Sequence, residues 1–184
     1  MNQPAPTYTM TDEALAAAMA EAALLRGDFT LRSGRKSRYY LDKYLFATRP
    51  ELLSGLAERF ASHVGLDTDR IAGPELGGVP LATATALWTG KPFVLIRNAK
   101  KDYGTSKRFE GKLEAGDRVV ITEDIATSGG QSIEAAKLLR DECGCVVEKI
   151  VVAVDRQEGA AEAIDAAGFK FAALFTKVDL GIKE

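Results

Sequence analysis

Two adjacent acidic residues and a glycine-rich turn stand side by side in the second half of the chain. Glu123 and Asp124 follow residues 118–121, an apolar run typical of a buried strand. The turn, residues 127–130, reads Thr-Ser-Gly-Gly and precedes a helical pattern. Backbone N–H groups at such a helix start bind phosphate, and two carboxylates can accept hydrogen bonds from neighbouring sugar hydroxyls. The segment predicts a site for a phosphorylated sugar, and the alternative is a surface turn with two solvated acids.

Three further segments place glycines or charged residues where strands are expected to end. Residues 73–80, Gly-Pro-Glu-Leu-Gly-Gly-Val-Pro, form a turn whose glycines allow close backbone approach to a ligand. Residues 97–111 are polar, cationic and broken by glycine, which favours a lid over a diphosphate or else a merely solvated loop. Arg156 follows an apolar run directly, and its guanidinium suits bidentate recognition of a carboxylate.

The elements that must position these groups alternate between strands and helices. Continuous apolar strands separated by helices predict an α/β fold with a parallel sheet covered on both faces. Ligands in such sheets bind at the carboxyl ends of the strands, where all four segments lie. The predicted strands are about residues 29–31, 39–41, 70–73, 93–97, 119–122, 146–154 and 169–175, and the predicted helices are about 12–25, 50–64, 79–88, 132–143 and 158–167.

The overall composition is that of a globular protein and excludes several classes. The 184 residues predict one domain, and a formal net charge of −2 does not favour nucleic acid as a partner. No apolar run approaches the roughly 20 residues that span a bilayer, and no secretory signal is visible. Cys143 and Cys145 have neither redox-motif nor zinc-site spacing, so a reducing cytoplasm is expected. The single histidine, His63, lies in an amphipathic helical stretch and is expected to be structural, which argues against Ser-His-Asp catalysis.

Residues 121–132, Ile-Thr-Glu-Asp-Ile-Ala-Thr-Ser-Gly-Gly-Gln-Ser, resemble the 5-phosphoribosyl-1-diphosphate (PRPP) motif of type I phosphoribosyltransferases. Two other segments resemble orotate phosphoribosyltransferases within that family. Residues 29–42 are similar to their N-terminal hood, and Asp155-Arg156-Gln157-Glu158 matches a segment common among them. The resemblance implies a type I phosphoribosyltransferase-like sheet flanked by helices, in a single domain over residues 1–184 with a hood formed mainly by about 1–45.

The resemblance also implies a role for each matching residue. It implies a catalytic loop containing Arg97, Lys101 and Asp102, with Lys101 and Asp102 near the departing diphosphate of a neighbouring subunit. Three departures from the family pattern are Arg32 for Lys, Asn98 for Lys and Tyr103 for His. The implied PRPP-binding residues are Glu75, Leu76, Gly77, Arg97, Lys101, Tyr103, Glu123, Asp124, Ala126, Thr127, Ser128, Gly129, Gly130 and Gln131, and the implied orotate-binding residues are Arg32, Tyr40, Leu41, Thr127 and Arg156.

The implied reaction is the conversion of orotate and PRPP to orotidine 5-monophosphate and pyrophosphate, in pyrimidine biosynthesis. The resemblance implies Mg²⁺ held mainly through PRPP and water, without a dedicated ligand cluster, and a homodimer with shared active sites. Two alternatives remain open. One is a phosphoribosyltransferase for another base, which the hood and Arg156 disfavour, because purines and uracil lack a carboxylate. The other is a non-catalytic PRPP-sensing regulator that binds nucleic acid, which the acidic pI of about 5.6 and the presence of Lys101 and Asp102 disfavour.

Overall fold

The computed structural model describes residues 9–30, 34, 36–98 and 108–183. Its central feature is a six-stranded sheet, preceded in the chain by a separate two-stranded ribbon. None of the helices in this described part of the chain has the length and apolar character needed to cross a membrane. The strands are β1 (Leu24–Thr30), β2 (Lys36–Leu41), β3 (Arg70–Pro74), β4 (Phe93–Ile96), β5 (Phe109–Glu110), β6 (Arg118–Ala126), β7 (Val146–Asp155) and β8 (Phe171–Thr176), and the helices are α1 (Asp12–Ala23), α2 (Lys43–Ala47), α3 (Pro50–Ala61), α4 (Gly78–Thr89), α5 (Gly130–Lys137) and α6 (Ala160–Ala166).

The six-stranded sheet has the order β5-β4-β3-β6-β7-β8. The five strands from β4 to β8 in this order pair in parallel, as predicted, whereas β5 pairs antiparallel with β4. The prediction that the residues of β5 belong to a polar loop is wrong. This edge strand was missed because only two residues form it, too few for a periodic pattern. The parallel pairing brings the carboxyl ends of β3, β4, β6 and β7 to one edge of the sheet, as the prediction of a common site requires.

Alternating side chains divide the core between the two faces of the sheet. Val120 and Val151 pack with α1, α2 and α3 on one face, while Ile121 and Ile150 pack with α5 and α6 on the other. Because successive strand residues point to opposite faces, one fully apolar strand can support both layers. This packing fixes the central strands β6 and β7, which carry the candidate site residues.

The N-terminal segment folds as predicted, with changed boundaries. Thr11 caps α1, where its hydroxyl accepts a hydrogen bond from the Ala14 N–H at 3.2 Å. The predicted end of α1 near Leu25 is wrong, because Leu24 already pairs with Leu41 in the ribbon formed by β1 and β2. The short helix α2, which sequence analysis missed, begins where the Asp42 carboxylate accepts from the Tyr44 N–H.

Candidate active site

Glu123 and Asp124 lie inside β6, and the prediction that the strand ends before them is wrong. Only 4% of Glu123 and 2% of Asp124 is exposed, so the alternative of two solvated surface acids is also wrong. Pairing with β7 continues to Ala126, which stands opposite Asp155. Backbone pairing on a central strand therefore overrides the local preference of acidic residues for a strand end.

Asp124 forms an ion pair that crosses from the central sheet to the N-terminal segment. Its Oδ2 lies 2.8 Å from Nζ of Lys43, the first residue of α2, and its Oδ1 accepts a hydrogen bond from the Ile125 N–H at 2.5 Å. Burial raises the pKa of Asp124, and the nearby ammonium opposes this change by favouring the ionised carboxylate. Partial burial acts to lower the pKa of Lys43, but the two carboxylates more than offset it, so the pKa of Lys43 is raised.

Glu123 is the less satisfied member of the acidic pair. Its Oε1 accepts from the Asp124 N–H at 3.1 Å, whereas its buried Oε2 has no hydrogen-bond partner within the described residues. Burial, followed by repulsion from Asp124, raises the pKa of Glu123 from 4.5 to about 8. Both effects favour the protonated form of Glu123.

The glycine turn after β3 packs backbone against the acidic pair. A Cβ atom at Gly77 would lie 1.4 Å from Oδ2 of Asp124, and one at Gly78 would lie 2.7 Å from the Thr122 carbonyl oxygen. Real Cβ atoms essentially never make contacts shorter than 3.0 Å. Glycine is therefore needed at both positions because the turn approaches β6 directly.

The turn after β6 borders a cavity of about 960 Å³. Gly129, in the left-handed conformation with φ 76°, leads into α5, so the first N–H groups of this helix face the same region. The cavity thus combines carboxylates with backbone donors, as a phosphorylated sugar requires. Its lining residues are Tyr40, Lys43, Glu123, Asp124, Ile125, Ala126, Thr127, Ser128, Gly129, Gly130, Gln131, Ser132, Arg156 and Glu158.

Arg156 is held by two neighbours at the end of β7. Its Nη2 donates to the Tyr39 hydroxyl at 2.9 Å and lies 3.0 Å from Oε1 of Glu158. The guanidinium also stands 5.1 Å from the centre of the Tyr39 ring, within cation–π range. The side chain is 11% exposed, and its buried Nε has no hydrogen-bond partner in the part of the chain that the structure describes. Within the described residues, the guanidinium therefore keeps an unpaired donor at the end of β7.

A second cavity, of about 710 Å³, lies under the hood ribbon and shares Arg156 and Glu158 with the first. The predicted hood residues divide between the two faces of β2. Tyr40 is exposed and borders the larger cavity, whereas Leu41 is buried in the core and borders neither cavity. The structure thus does not bring Leu41 to the site, because strand alternation points it away from Tyr40. The smaller cavity is lined by Asp28, Phe29, Lys36, Ser37, Arg38, Tyr39, Arg156, Glu158 and Lys177.

The ends of the polar loop meet the glycine turn and α5. The Asn98 N–H donates to Oε1 of Glu75 at 2.6 Å, and Gln131 donates through Nε2 to the Glu75 carbonyl at 3.0 Å. At the other end of the loop, Nη2 of Arg108 lies 2.6 Å from Oε1 of Glu134 on α5. These contacts join the turn after β3, the polar loop and the start of α5 in one assembly.

Several predicted site residues do not border the two cavities. Arg97 lies beside Glu110, with 3.6 Å between Nη1 and Oε1, and its buried Nε has no hydrogen-bond partner among the described residues. Glu75, Leu76 and Gly77 form the turn next to the acidic pair without bordering either cavity. The remaining predictions, for Arg32, Lys101, Asp102 and Tyr103, fall outside the described residues.

Sequence analysis missed two residues that the structure brings to the site. Lys43 contacts Asp124, which is distant in sequence, and nothing in the local sequence of Lys43 indicates this contact. Tyr39 could have been found from strand alternation, since it points opposite to Tyr40 and reaches Arg156.

This chain is similar to known phosphoribosyltransferases over most of its length. The family model "Phosphoribosyl transferase domain" matches residues 51–172. The orotate phosphoribosyltransferase of Halobacterium salinarum is 46% identical over 170 residues, which cover 92% of this chain and 96% of that protein. The crystal structure of the Aeropyrum pernix orotate phosphoribosyltransferase superposes with a TM-score of 0.79 at 34% identity, covering 91% of this chain and 96% of that one. The Mycobacterium tuberculosis orotate phosphoribosyltransferase in complex with PRPP gives a TM-score of 0.78 at 29% identity, covering 93% and 99%.

The fold and the matched domain define the class, a type I phosphoribosyltransferase, as predicted. Within that class, the sequence similarity to the Halobacterium salinarum orotate phosphoribosyltransferase extends over nearly the whole length of both proteins. The chain belongs to the orotate phosphoribosyltransferase family.

Proposed function

We propose that this protein transfers the 5-phosphoribosyl group from PRPP to orotate, giving orotidine 5-monophosphate and pyrophosphate. The observation that carries this proposal is the position of Arg156, which borders both the cavity with the acidic pair and the cavity under the hood. A phosphoribosyl donor in the first cavity and a carboxylated base beside Arg156 would bring the two reactants together.

The larger cavity supplies what the sugar phosphate requires. Glu123 and Asp124 would bind the ribose hydroxyls, because they offer carboxyl oxygens beside an open cavity. The turn formed by residues 126–131 would bind the 5-phosphate through its backbone N–H groups and hydroxyls. Gly77 would let the turn after β3 approach closely enough for its N–H groups to contact the diphosphate.

Arg156 is the proposed determinant of base choice. Its guanidinium, which borders both cavities, would bind the orotate carboxylate, while Tyr39 and Glu158 hold Nη2 in place. Tyr40 borders the same region, and Thr127 lies in the adjoining turn. Hypoxanthine and uracil carry no carboxylate, so they would lose this charge-assisted bond.

Departure of pyrophosphate creates cationic character on the sugar and gathers negative charge on the leaving group. Arg97, Lys101 and Asp102 are the proposed catalytic residues of this step, with Tyr103 as a further PRPP contact. Arg97 lies at the start of the polar loop, next to the turn that carries Glu75 and Leu76. Cations placed where charge develops stabilise the transition state without a covalent nucleophile.

Mg²⁺ is the proposed cofactor. The described residues contain no group of three or more His, Cys, Asp or Glu that could cage a metal ion. Mg²⁺ prefers phosphate and water oxygens to an all-protein cage, so PRPP itself would supply most of its ligands. When bound with PRPP, the ion would neutralise part of the diphosphate charge. Arg97 and Lys101 would then face a diphosphate whose repulsion is already reduced.

The proposed assembly is a homodimer with shared active sites, working in the cytoplasm. Lys101 and Asp102 would reach the diphosphate of the neighbouring subunit. Lys101→Ala and Asp124→Asn, each inactive alone, should regain activity when their subunits exchange, because a mixed dimer contains one intact site. Random exchange should restore about a quarter of wild-type activity. Continued inactivity after demonstrated exchange would place Lys101 in the site of its own chain.

The direct test of the proposed function is orotate depletion, followed by absorbance, with purified protein. Orotate should be consumed only when PRPP and Mg²⁺ are both present, and EDTA should stop the reaction. Consumption without PRPP, or none under any condition with correctly folded protein, would refute the proposal. Unchanged turnover in EDTA would refute only the role of Mg²⁺.

A further inference from the structure

Lys43 is a cation in the larger cavity to which neither the sequence motifs nor the proposed chemistry assigns a role. It opens the short helix α2, directly after Asp42, whose carboxylate caps that helix. Its ammonium group lies 2.8 Å from Oδ2 of Asp124, and the Lys43 side chain remains 31% exposed to the cavity. The ion pair between Lys43 and Asp124 thus connects α2, which follows the hood ribbon, to the acidic pair.

Asp124, as an ionised member of the acidic pair, requires a nearby positive charge. Glu123 and Asp124 are adjacent, almost fully buried carboxylates, and burial of charge is costly unless the charge is paired. Lys43 is the cation in contact with Asp124 within the described residues. Other charged or titratable groups that face this region among the described residues are Tyr40, Tyr44, Arg156 and Glu158, and Arg156 is already paired with Glu158.

Packing restricts the position of the Asp124 carboxylate from the other side. Gly77 leaves just enough room for Oδ2, and the Ile125 N–H holds Oδ1 at 2.5 Å. With Lys43 on the open side, the carboxylate is held from three directions. Its oxygens would accept ribose hydroxyls most strongly in the ionised state.

We propose that Lys43 is a positioning residue of the PRPP site, holding Asp124 ionised and correctly placed to accept hydrogen bonds from the ribose hydroxyls. This role rests on the proposed function, and it goes beyond it by adding a residue of α2 to the site. Lys43 acts through Asp124, so its removal should damage PRPP use far more than the maximal rate of saturated enzyme.

The test compares Lys43→Met with Lys43→Arg in the full-length enzyme. Lys43→Met should lower kcat/KM for PRPP about ten- to hundredfold, mainly through KM, because the Asp124 carboxylate is no longer held in place to accept charge-assisted hydrogen bonds from the ribose hydroxyls. The acidic limb of its pH profile should also move to higher pH, since Asp124 loses the cation that favours ionisation. Lys43→Arg should restore most of both properties. PRPP titration by calorimetry checks binding separately from turnover.

A double-mutant cycle determines whether Lys43 acts through Asp124. The variant with both Lys43→Met and Asp124→Asn should be hardly worse than Asp124→Asn alone, because the second change removes a partner that is already lost. Additive losses, or loss of affinity without a shift of the pH limb, would overturn the proposal and make Lys43 a direct ligand contact. Unchanged PRPP kinetics in Lys43→Met would also overturn it.

The matched control is Lys112→Met, which removes a lysine from an exposed ion pair with Glu114 at 2.7 Å. Its kinetics should equal those of the wild type, because this pair borders neither cavity and is exposed to solvent. Circular dichroism and thermal melting show whether Lys43→Met is folded, and Lys43→Arg provides the second variant if it is not. A wild-type enzyme without orotate turnover would refute the proposed function, whereas an active wild type with an unaffected Lys43→Met refutes only this inference.

Discussion

Replacing Gly77 with alanine should displace the acidic pair without straining the backbone. Gly77 has φ −72° and ψ −29°, a conformation open to any residue, so the cost comes from contact alone. The new methyl would lie 1.4 Å from Oδ2 and 2.5 Å from Cγ of Asp124. Restoring ordinary contact requires a relative shift of about 2 Å, which would break the 2.8 Å contact between Asp124 and Lys43.

Overpacking of this kind typically costs about 1–3 kcal/mol of stability. The catalytic loss should be larger, because a misplaced carboxylate and a retracted turn both weaken PRPP binding. We expect kcat/KM for PRPP to fall about a hundredfold or more, while the protein remains folded. Initial rates at varied PRPP, with thermal melting for stability, measure the two effects separately.

Gly65→Ala provides the matched control for Gly77→Ala. A Cβ atom at Gly65 would approach no atom closer than 3.7 Å, and Gly65 borders neither cavity. This control should keep wild-type kinetics. If Gly77→Ala also keeps wild-type kinetics, the close approach of the turn to Asp124 does not govern PRPP binding, and the reasoning from the packing of Gly77 is refuted.

Three other substitutions test the roles of the buried polar groups. Arg156→Ala should lower kcat/KM for orotate about a hundredfold or more and leave PRPP affinity unchanged, so equal loss of both affinities in titrations would contradict the assignment. Tyr39→Phe should raise KM for orotate about three- to tenfold, since Arg156 loses one neutral hydrogen-bond acceptor, and an unchanged KM would make Tyr39 only a packing residue. Because the pKa of Glu123 is raised from 4.5 to about 8, its contribution to stability is complete below about pH 4.5 and is lost as the pH rises through about 8. Glu123→Gln removes this dependence, so its melting temperature relative to wild type should increase from pH 5 to pH 9, and a constant difference would contradict the raised pKa.

The positions and the parallel pairing of the central strands could be predicted from the sequence, because these strands are buried. Runs such as residues 119–122 and 146–154 are apolar throughout because both faces of the sheet are covered. The end of β6 could not be predicted, because local propensity places acidic residues such as Glu123 at strand ends. Pairing with β7 keeps the strand extended as far as Ala126.

The candidate site was predictable where its residues are close in sequence. The turn at residues 126–131 carries its own signal, a strand followed by glycines and a helix. Lys43 has no such signal, since its partner Asp124 is distant in sequence. Strand alternation indicates the side to which Tyr39 points, but not its contact with the distant Arg156. Contacts of this kind depend on how the hood segment packs on the sheet, and periodicity along one segment does not contain that information.

A single competition experiment tests whether the carboxylate of the base selects the substrate. Equal concentrations of orotate, uracil and hypoxanthine are incubated with PRPP, Mg²⁺ and the enzyme, and the nucleotides are identified by mass spectrometry. We predict orotidine 5-monophosphate as the dominant product, because orotate alone among the three bases can pair with Arg156. Comparable amounts of the uracil or hypoxanthine nucleotide would contradict the account.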